Sequence, residues 1–373
     1  MSQPVIASPA FFIGRGSTSF DDVQDGSLAT GGDDLISFGS GQPDLPPPPA
    51  TFKVLEHFRS FQYGLVRGQE SLRAEIAKEY PYAVPEDFVI TNGASEAIDL
   101  ALRVIAKDAP GSKVLLPRPY YYSYPHNVAF AWLIPVYTDL ESGKLNFEHF
   151  KRDIEGCRAV LINSPSNPTG TVQEVETLKQ IESFCEERGI YIISDEVYKD
   201  LIYVRENYLL HGKRVITINS FSKTYAMCGL RVGYMYSKDR DVIEAAVEMK
   251  SHTSMNTSLV GQAMALAAMS ERDSYVESHS KIWRERRDLM YKGMKGLGLD
   301  VWQPEGAFYM LPAFKNSTRA MHDLYYNHRI ITYSGEWFGV PDRLRFSYAL
   351  DVQKIEEGLR RVKKFLETEY KTY

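Results

Sequence analysis

Through the middle of the chain, short apolar runs alternate with longer stretches whose apolar positions recur every three or four residues. Residues 114–116, 159–162, 191–193, 215–218 and 232–236 are apolar without a polar alternation, the pattern of strands buried on both faces. Between them, residues 95–106 place Ile98, Leu102 and Ile105 on one helical face, at offsets of four and three. Strand alternating with helix predicts an α/β fold whose central sheet is mainly parallel and flanked by helices. From about residue 270 the pattern changes to a charged helix over 280–297, some strand-like pieces, and a last helix carrying Val352, Ile355, Leu359, Val362 and Leu366 on one stripe. That predicts a smaller α+β unit, with no internal repeat.

Length and charge sharpen this picture. At 373 residues the chain is long enough for two domains, or one large α/β domain with a companion. Its 43 Lys and Arg against 48 Asp and Glu leave a net charge of −5 spread along the sequence, without the basic stripe that a phosphate backbone attracts. No nucleic-acid partner is expected. The longest apolar run, residues 128–137 with Pro135 inside it, is half of the ~20 residues a bilayer requires, so no membrane span is expected either. The three cysteines, Cys157, Cys185 and Cys228, form no C-x-x-C pair and the N-terminus lacks a secretory pattern, which points to a reduced, cytoplasmic protein with each thiol a small buried hydrophobe. Residues 46–49, all proline, read as a semi-rigid connector.

A sheet of this kind invites a nucleotide, yet the fingerprints are missing. Gly14 and Gly16 lack a third glycine, and Ser222-Lys223-Thr224 has the tail of a P-loop without its glycines. The histidines show no ligand spacing, so no metal is expected, and no G-x-S-x-G elbow occurs. Instead, four polar segments follow predicted strands, where ligands bind in open α/β sheets. Thr91-Asn92-Gly93-Ala94-Ser95-Glu96-Ala97 opens a helix whose free N–H groups and dipole suit a phosphate, though an ordinary helix start reads the same way. Residues 163–170, with Pro165 and Pro168, form a turn that presents the Asn167 amide. Ser194-Asp195-Glu196-Val197-Tyr198 puts a carboxylate at the end of a very apolar strand, where it needs a partner. Finally, Lys223 sits among Ser220, Ser222 and Thr224 at the end of a β run, and a desolvated lysine is the nucleophile of Schiff-base chemistry.

Taken in order, N-P-T-G at 167–170, D-E-V-Y at 195–198, and S-x-S-K ending at Lys223 with Arg231 eight residues on resemble the aspartate-aminotransferase family. The likeness runs from Ser40-Gly41-Gln42-Pro43-Asp44 through Pro304-Glu305-Gly306-Ala307-Phe308-Tyr309 to Leu344-Arg345-Phe346-Ser347-Tyr348-Ala349. It implies a fold-type I, pyridoxal-phosphate-dependent aminotransferase. A large domain over 46–270 would carry the cofactor, and residues 1–45 with 271–373 would form the small domain.

Carried over residue by residue, the resemblance makes Lys223 the lysine that bonds the cofactor aldehyde and shuttles the proton, and Asp195 the carboxylate facing the pyridine nitrogen. Asn167 and Tyr198 match the donors to the phenolic oxygen. Ala94, Ser95, Ser220, Ser222 and Arg231 match the phosphate site. Tyr121, within the tyrosine run 120–122, matches the aromatic residue stacked on the ring. Arg345 and Gly41 match the grip on the substrate α-carboxylate. Tyr63 matches a tyrosine that reaches the phosphate of a neighbouring subunit, which implies a homodimer with shared sites.

Amino-acid and 2-oxo-acid substrates follow, with 2-oxoglutarate the default acceptor. C–S β-elimination, cyclopropane-forming elimination and a non-catalytic regulatory role on the same fold remain alternatives. The missing fingerprint disfavours an NAD-binding dehydrogenase. A dicarboxylic substrate needs a further cation, for which Arg15, Arg67, Arg118 and His252 are candidates, whereas the 24 tyrosines argue equally for an aromatic or apolar pocket.

Overall fold

The computed structural model describes residues 34–203 and 207–370, so Gly14, Arg15 and Gly16 lie outside them. A two-residue strand, β1 (Ile36–Ser37), comes first. The central sheet then collects β2 (Phe88–Thr91), β3 (Lys113–Arg118), β4 (Ile134–Asp139), β5 (Cys157–Asn163), β6 (Tyr191–Asp195), β7 (Val215–Ser220) and β8 (Gly233–Tyr236) in the spatial order β2-β8-β7-β6-β5-β3-β4. Strands β4, β3, β5, β6 and β7 run parallel, and β8 is antiparallel to both β7 and β2. The connection from β7 to β8 holds only short helical turns, too little to cover a crossover to a parallel neighbour, so the chain returns antiparallel.

Both faces of the sheet are covered, which explains the unbroken apolar runs. Along β5, Ala159 and Leu161 join the core that contains Ala97, Ala101, Leu102 and Ile105 of the helix Gly93–Lys107, while Val160 and Ile162 join the opposite core with Leu178, Ile181 and Cys185 of the helix Val175–Arg188. The apolar run 128–137 is split between the helix Tyr124–Phe130 and β4, which lies at the sheet edge, where Pro135 is tolerated. The prolines to Pro48 belong to no helix or strand, and Pro49 is the N-cap of the helix Ala50–His57.

The chain ends build the rest. They contribute β9 (Tyr309–Met310), β10 (Ile330–Ile331), β11 (Tyr333–Ser334) and β12 (Leu344–Ser347). Strand β1 pairs in parallel with β10, and β12 lies between β11 and β9 in a three-stranded antiparallel sheet. The charged helix begins earlier than its sequence pattern indicates, spanning Arg272–Gly296, and the last amphipathic helix spans Val352–Thr368. Ile36 and Phe38 share a core with Trp283, Met290, Phe314, Phe346, Val362 and Phe365. Val197, Tyr198 and Leu201, just beyond β6, enter the same core and tie it to the central sheet. Among the described residues, no helix is long and apolar enough to cross a membrane.

Phe38 is fully buried, with its ring centroid 5.4 Å from that of Phe346. Phe38→Ala should therefore cost about 3–5 kcal/mol in denaturant unfolding, if the N-terminal segment is integral to this core. A loss below about 1 kcal/mol would show that the segment merely rests on it.

Candidate active site

Strands β5, β6 and β7 end at one cleft of about 590 Å³. Lys223 enters it from the one-turn helix Phe221–Thr224, whose N-cap Ser220 accepts the Ser222 N–H at 3.3 Å. The Lys223 amine donates to the carbonyl of Gly41. Burial lowers its pKa, and the neighbouring Arg345 and Arg231 guanidinium groups push in the same direction, against Cys228 and Asp195. The result favours a neutral, nucleophilic amine.

Asp195, the last residue of β6, is 5% exposed. Its carboxylate accepts the Tyr124 hydroxyl at 2.6 Å and the Val197 N–H at 3.3 Å. Burial nonetheless raises its pKa to about 6, because these donors and Lys223 offset only part of the desolvation. Glu196 beside it accepts from Ser194 Oγ at 2.9 Å and Tyr80 Oη at 3.3 Å, and burial raises its pKa to about 7.

At the start of the helix Gly93–Lys107, Ala94 and Ser95 face the cleft with Ser220, Ser222 and Arg231. Gly93 adopts φ +76°, and a Cβ there would lie 2.3 Å from the Arg231 guanidinium, so only glycine lets the arginine approach the helix start. Free backbone N–H groups, hydroxyls and a guanidinium together form a seat for a doubly charged anion. Behind the seat, Glu96 accepts the backbone N–H of Asn92 at 2.5 Å and the ammonium of fully buried Lys250 at 2.8 Å. This pair ties the turn before the helix to the helix Arg240–Ser251.

Asn167 and Arg345 meet on the opposite wall. Arg345 donates to Asn167 Oδ1 at 3.1 Å and to the Gly39 carbonyl at 2.6 Å, while its Nε has no partner. Asn163 steadies the turn, accepting the Asn167 N–H at 2.7 Å and donating to the Asp195 carbonyl at 2.9 Å. Gly170, at φ +70°, lies where a Cβ would come 2.4 Å from the Tyr309 carbonyl, so the N-P-T-G turn and the Glu305–Tyr309 stretch fit only with glycine at 170. Tyr198 and Tyr309 share a hydrogen bond of 3.0 Å.

Of the tyrosine run, Tyr121 and Tyr122 line the cleft, whereas Tyr120 stacks outside it on Tyr137. Tyr63 does not join the other site residues: it is 82% exposed, on a loop held against Leu259. Cys157 and Cys185 are buried in the core, but Cys228 departs from the expected buried thiol, lining the cleft with its sulfur 3.0 Å from the Ser222 carbonyl.

Residues 33–362 match the model of the aminotransferase class I and II family. The chain belongs to this family. It is 34% identical to a probable aspartate/prephenate aminotransferase of Aquifex aeolicus over 91% of this chain and 93% of the relative. It is 30% identical to an aspartate aminotransferase of Geobacillus stearothermophilus, with the same coverage. A solved aspartate aminotransferase from Thermotoga maritima superposes with a TM-score of 0.87 at 30% identity, over 92% of this chain and 94% of that one. The aminotransferase is thus a fold-type I enzyme that uses pyridoxal phosphate to move amino groups.

The cleft of this aminotransferase fits the cofactor. An amine of lowered pKa suits its aldehyde, the anion seat suits its phosphate, and the under-satisfied Asp195 suits a protonated ring nitrogen. Asn163 and Tyr309 lie in motif segments that assign them no part, and Tyr124 lies two residues beyond the tyrosine run. Tyr333, which also lines the cleft, sits on two-residue β11 with no surrounding motif to signal it.

Raised carboxyl pKa values carry a stability consequence. Folded Asp195 and Glu196 keep their protons up to about pH 6 and about pH 7, where the unfolded chain has already lost them. Their contribution is therefore present at low pH and lost as the pH rises through those values. The thermal stability of the cofactor-stripped aminotransferase should fall between about pH 4 and about pH 7, and Glu196→Gln should flatten part of that fall. An unchanged slope in the variant would mean that Glu196 is already ionised in the folded protein.

Proposed function

We propose that this aminotransferase passes the amino group of an L-amino acid to a 2-oxo acid in two half-reactions at one cleft, with Lys223 as the proton carrier. The observation that supports this most is the meeting of a buried, pKa-lowered amine with Asp195 and an incompletely bonded arginine, Arg345. Pyridoxal phosphate, when bound, supplies a conjugated sink for the negative charge left at the substrate Cα.

The protein's residues then divide the work. Asp195 would pair with the ring nitrogen, Asn167 and Tyr198 with the phenolic oxygen, and Tyr121 would stack on the ring. Backbone N–H groups at Ala94 and Ser95, with Ser220, Ser222 and Arg231, would hold the phosphate. Tyr124 and Asn163 orient this set by fixing Asp195 and the turn at Asn167. Arg345 takes the substrate α-carboxylate on two parallel N–H groups, and Gly41 closes over it, which fixes Cα near Lys223. Lys223, neutral, takes the Cα proton on Nζ and returns it, acting as base and then acid.

The assembly follows the same reading. Residues 46–270 act as the cofactor-bearing domain, and the chain ends (1–45 and 271–373) move over the cleft to exclude water. Phe52, Leu55, Phe61, Tyr63, Leu65 and Met255 are large exposed apolar residues, which fits a dimer in which Tyr63 reaches the neighbour's phosphate. Free cysteines fit a reduced, cytoplasmic setting. 2-Oxoglutarate is the default acceptor, and relatives named for aspartate make a dicarboxylic donor the corresponding default.

Lys223→Ala should fold and retain cofactor by non-covalent contacts while kcat falls about 10³-fold or more, read from single-turnover kinetics. Turnover within tenfold of wild type would remove Lys223 from the mechanism. Arg345→Lys keeps the charge but loses the fork, so kcat/KM should drop roughly 10²-fold with the visible cofactor spectrum unchanged. A changed spectrum without a kinetic defect would place that arginine elsewhere.

A further inference from the structure

Lys223 is carried by a helix of a single turn, Phe221–Thr224, and so short a helix does not hold its shape without outside ties. Its start is tied by the Ser220 cap and by the Phe221 N–H, which donates to the Val232 carbonyl at 3.0 Å. At its end, the Thr224 hydroxyl donates to the Asp200 carboxylate at 3.0 Å. Asp200 lies five residues after Asp195 and two after Tyr198, so this bond joins the stretch that bears Lys223 to the stretch that bears the other two site residues. Thr224 and Asp200 border a separate small void and not the cleft.

Asp200 is itself held in place. Its other carboxylate oxygen accepts from Arg272 at 2.6 Å, and Arg272, the first residue of the helix Arg272–Gly296, also pairs with Glu79 at 3.1 Å. Glu79, just past the helix Glu70–Ala77, accepts the Lys199 ammonium as well. Two carboxylates and two cations from three parts of the chain thus balance one another. The side chains of Lys199, Asp200 and Glu79 are only 6%, 10% and 15% exposed. Desolvation cancels much of what such buried pairs contribute to stability, which leaves the fixed position of the Asp200 carboxylate as their main consequence.

We infer that Asp200 is a positioning residue for Lys223: through Thr224 it fixes the end of the one-turn helix, and so the place of the amine relative to Asp195 and Tyr198. The inference rests on the reading that Lys223 bonds the cofactor aldehyde and carries the proton. A displacement of about 1 Å at a reacting group costs up to about 10²-fold in rate. Loss of the tie should therefore be felt in the steps that Lys223 performs, and not in substrate binding, which falls to Arg345 and Asn167 on the opposite wall.

The test compares Thr224→Val, which keeps the side-chain shape and loses the hydroxyl, with Thr224→Ser, which keeps the hydroxyl. Pyridoxal phosphate is added to the stripped enzyme and the growth of its visible band is timed, while pyridoxine phosphate, which has no aldehyde, is titrated in parallel. Thr224→Val should slow the band and lower kcat by about tenfold each, with KM and the pyridoxine phosphate dissociation constant within about twofold of wild type. Thr224→Ser should restore both rates to within about threefold of wild type. Asp200→Ala should slow both by a similar factor, and combining it with Thr224→Val should cost little more, because the two act through one bond.

Rates within about twofold of wild type in Thr224→Val would overturn the inference. So would pyridoxine phosphate binding that weakens as far as the band slows, since the turn would then only shape the phosphate site, and so would losses in the two variants that multiply. Lys223→Ala separates the two levels. If it still turns over near the wild-type rate, the proton-carrier reading itself fails; if it is inactive while Thr224→Val is normal, only the role of Asp200 falls.

Discussion

An aspartate carboxylate buried at the wall of the cleft without a full set of partners is the constraint on which the site depends. Asp195 receives one hydroxyl and one backbone N–H, and its pKa remains raised to about 6. A buried ionised carboxylate carries a desolvation cost of several kcal/mol unless it is paired. The protein leaves that cost partly unmet, and a protonated ring nitrogen can meet it. Lys223 stands in a complementary state, since burial depresses its pKa and favours the neutral amine. On the proposed mechanism, the same burial readies a base for the ring nitrogen and a nucleophile for the aldehyde.

Holding these groups in place falls to residues outside the chemistry. Tyr124 and Asn163 connect Asp195 to two neighbouring segments, so the carboxylate and the Asn167 turn are fixed together. The Glu96–Lys250 pair does the same for the anion seat by joining the turn before one helix to the last turn of another. Removing one partner of such a buried pair leaves an uncompensated charge, so the two must be present together. On the far wall, Arg345 is packed among Tyr309, Tyr333 and Phe338, and this packing limits the guanidinium to one orientation.

Much of this was legible in the chain because it rests on local patterns. Strands buried on both faces announce themselves as apolar runs, and β5, β6 and β7 are found where those runs lie. The edge strand β4 was hidden by Pro135 and by its continuity with a preceding helix, and the antiparallel entry of β8 depends on a connection length that periodicity does not encode. Motif residues after β5, β6 and β7 converge because parallel strands deliver their C-terminal ends to one rim. Contacts made across long separations stayed invisible: Lys250 meets Glu96 across 154 positions, and Tyr333 reaches the cleft from a two-residue strand. Tyr63 lies on the surface of a single chain, where only a second subunit would give it a site.

On the proposed mechanism, Asp195 is ionised toward the ring nitrogen once the cofactor is bound. Nitrogen-15 NMR of the enzyme reconstituted with cofactor labelled at the pyridine nitrogen reads this directly. The ring nitrogen should be protonated at pH 8 in the wild-type enzyme and unprotonated in Asp195→Ala. An unprotonated nitrogen in the wild type, or a protonated one that survives loss of Asp195, would contradict it.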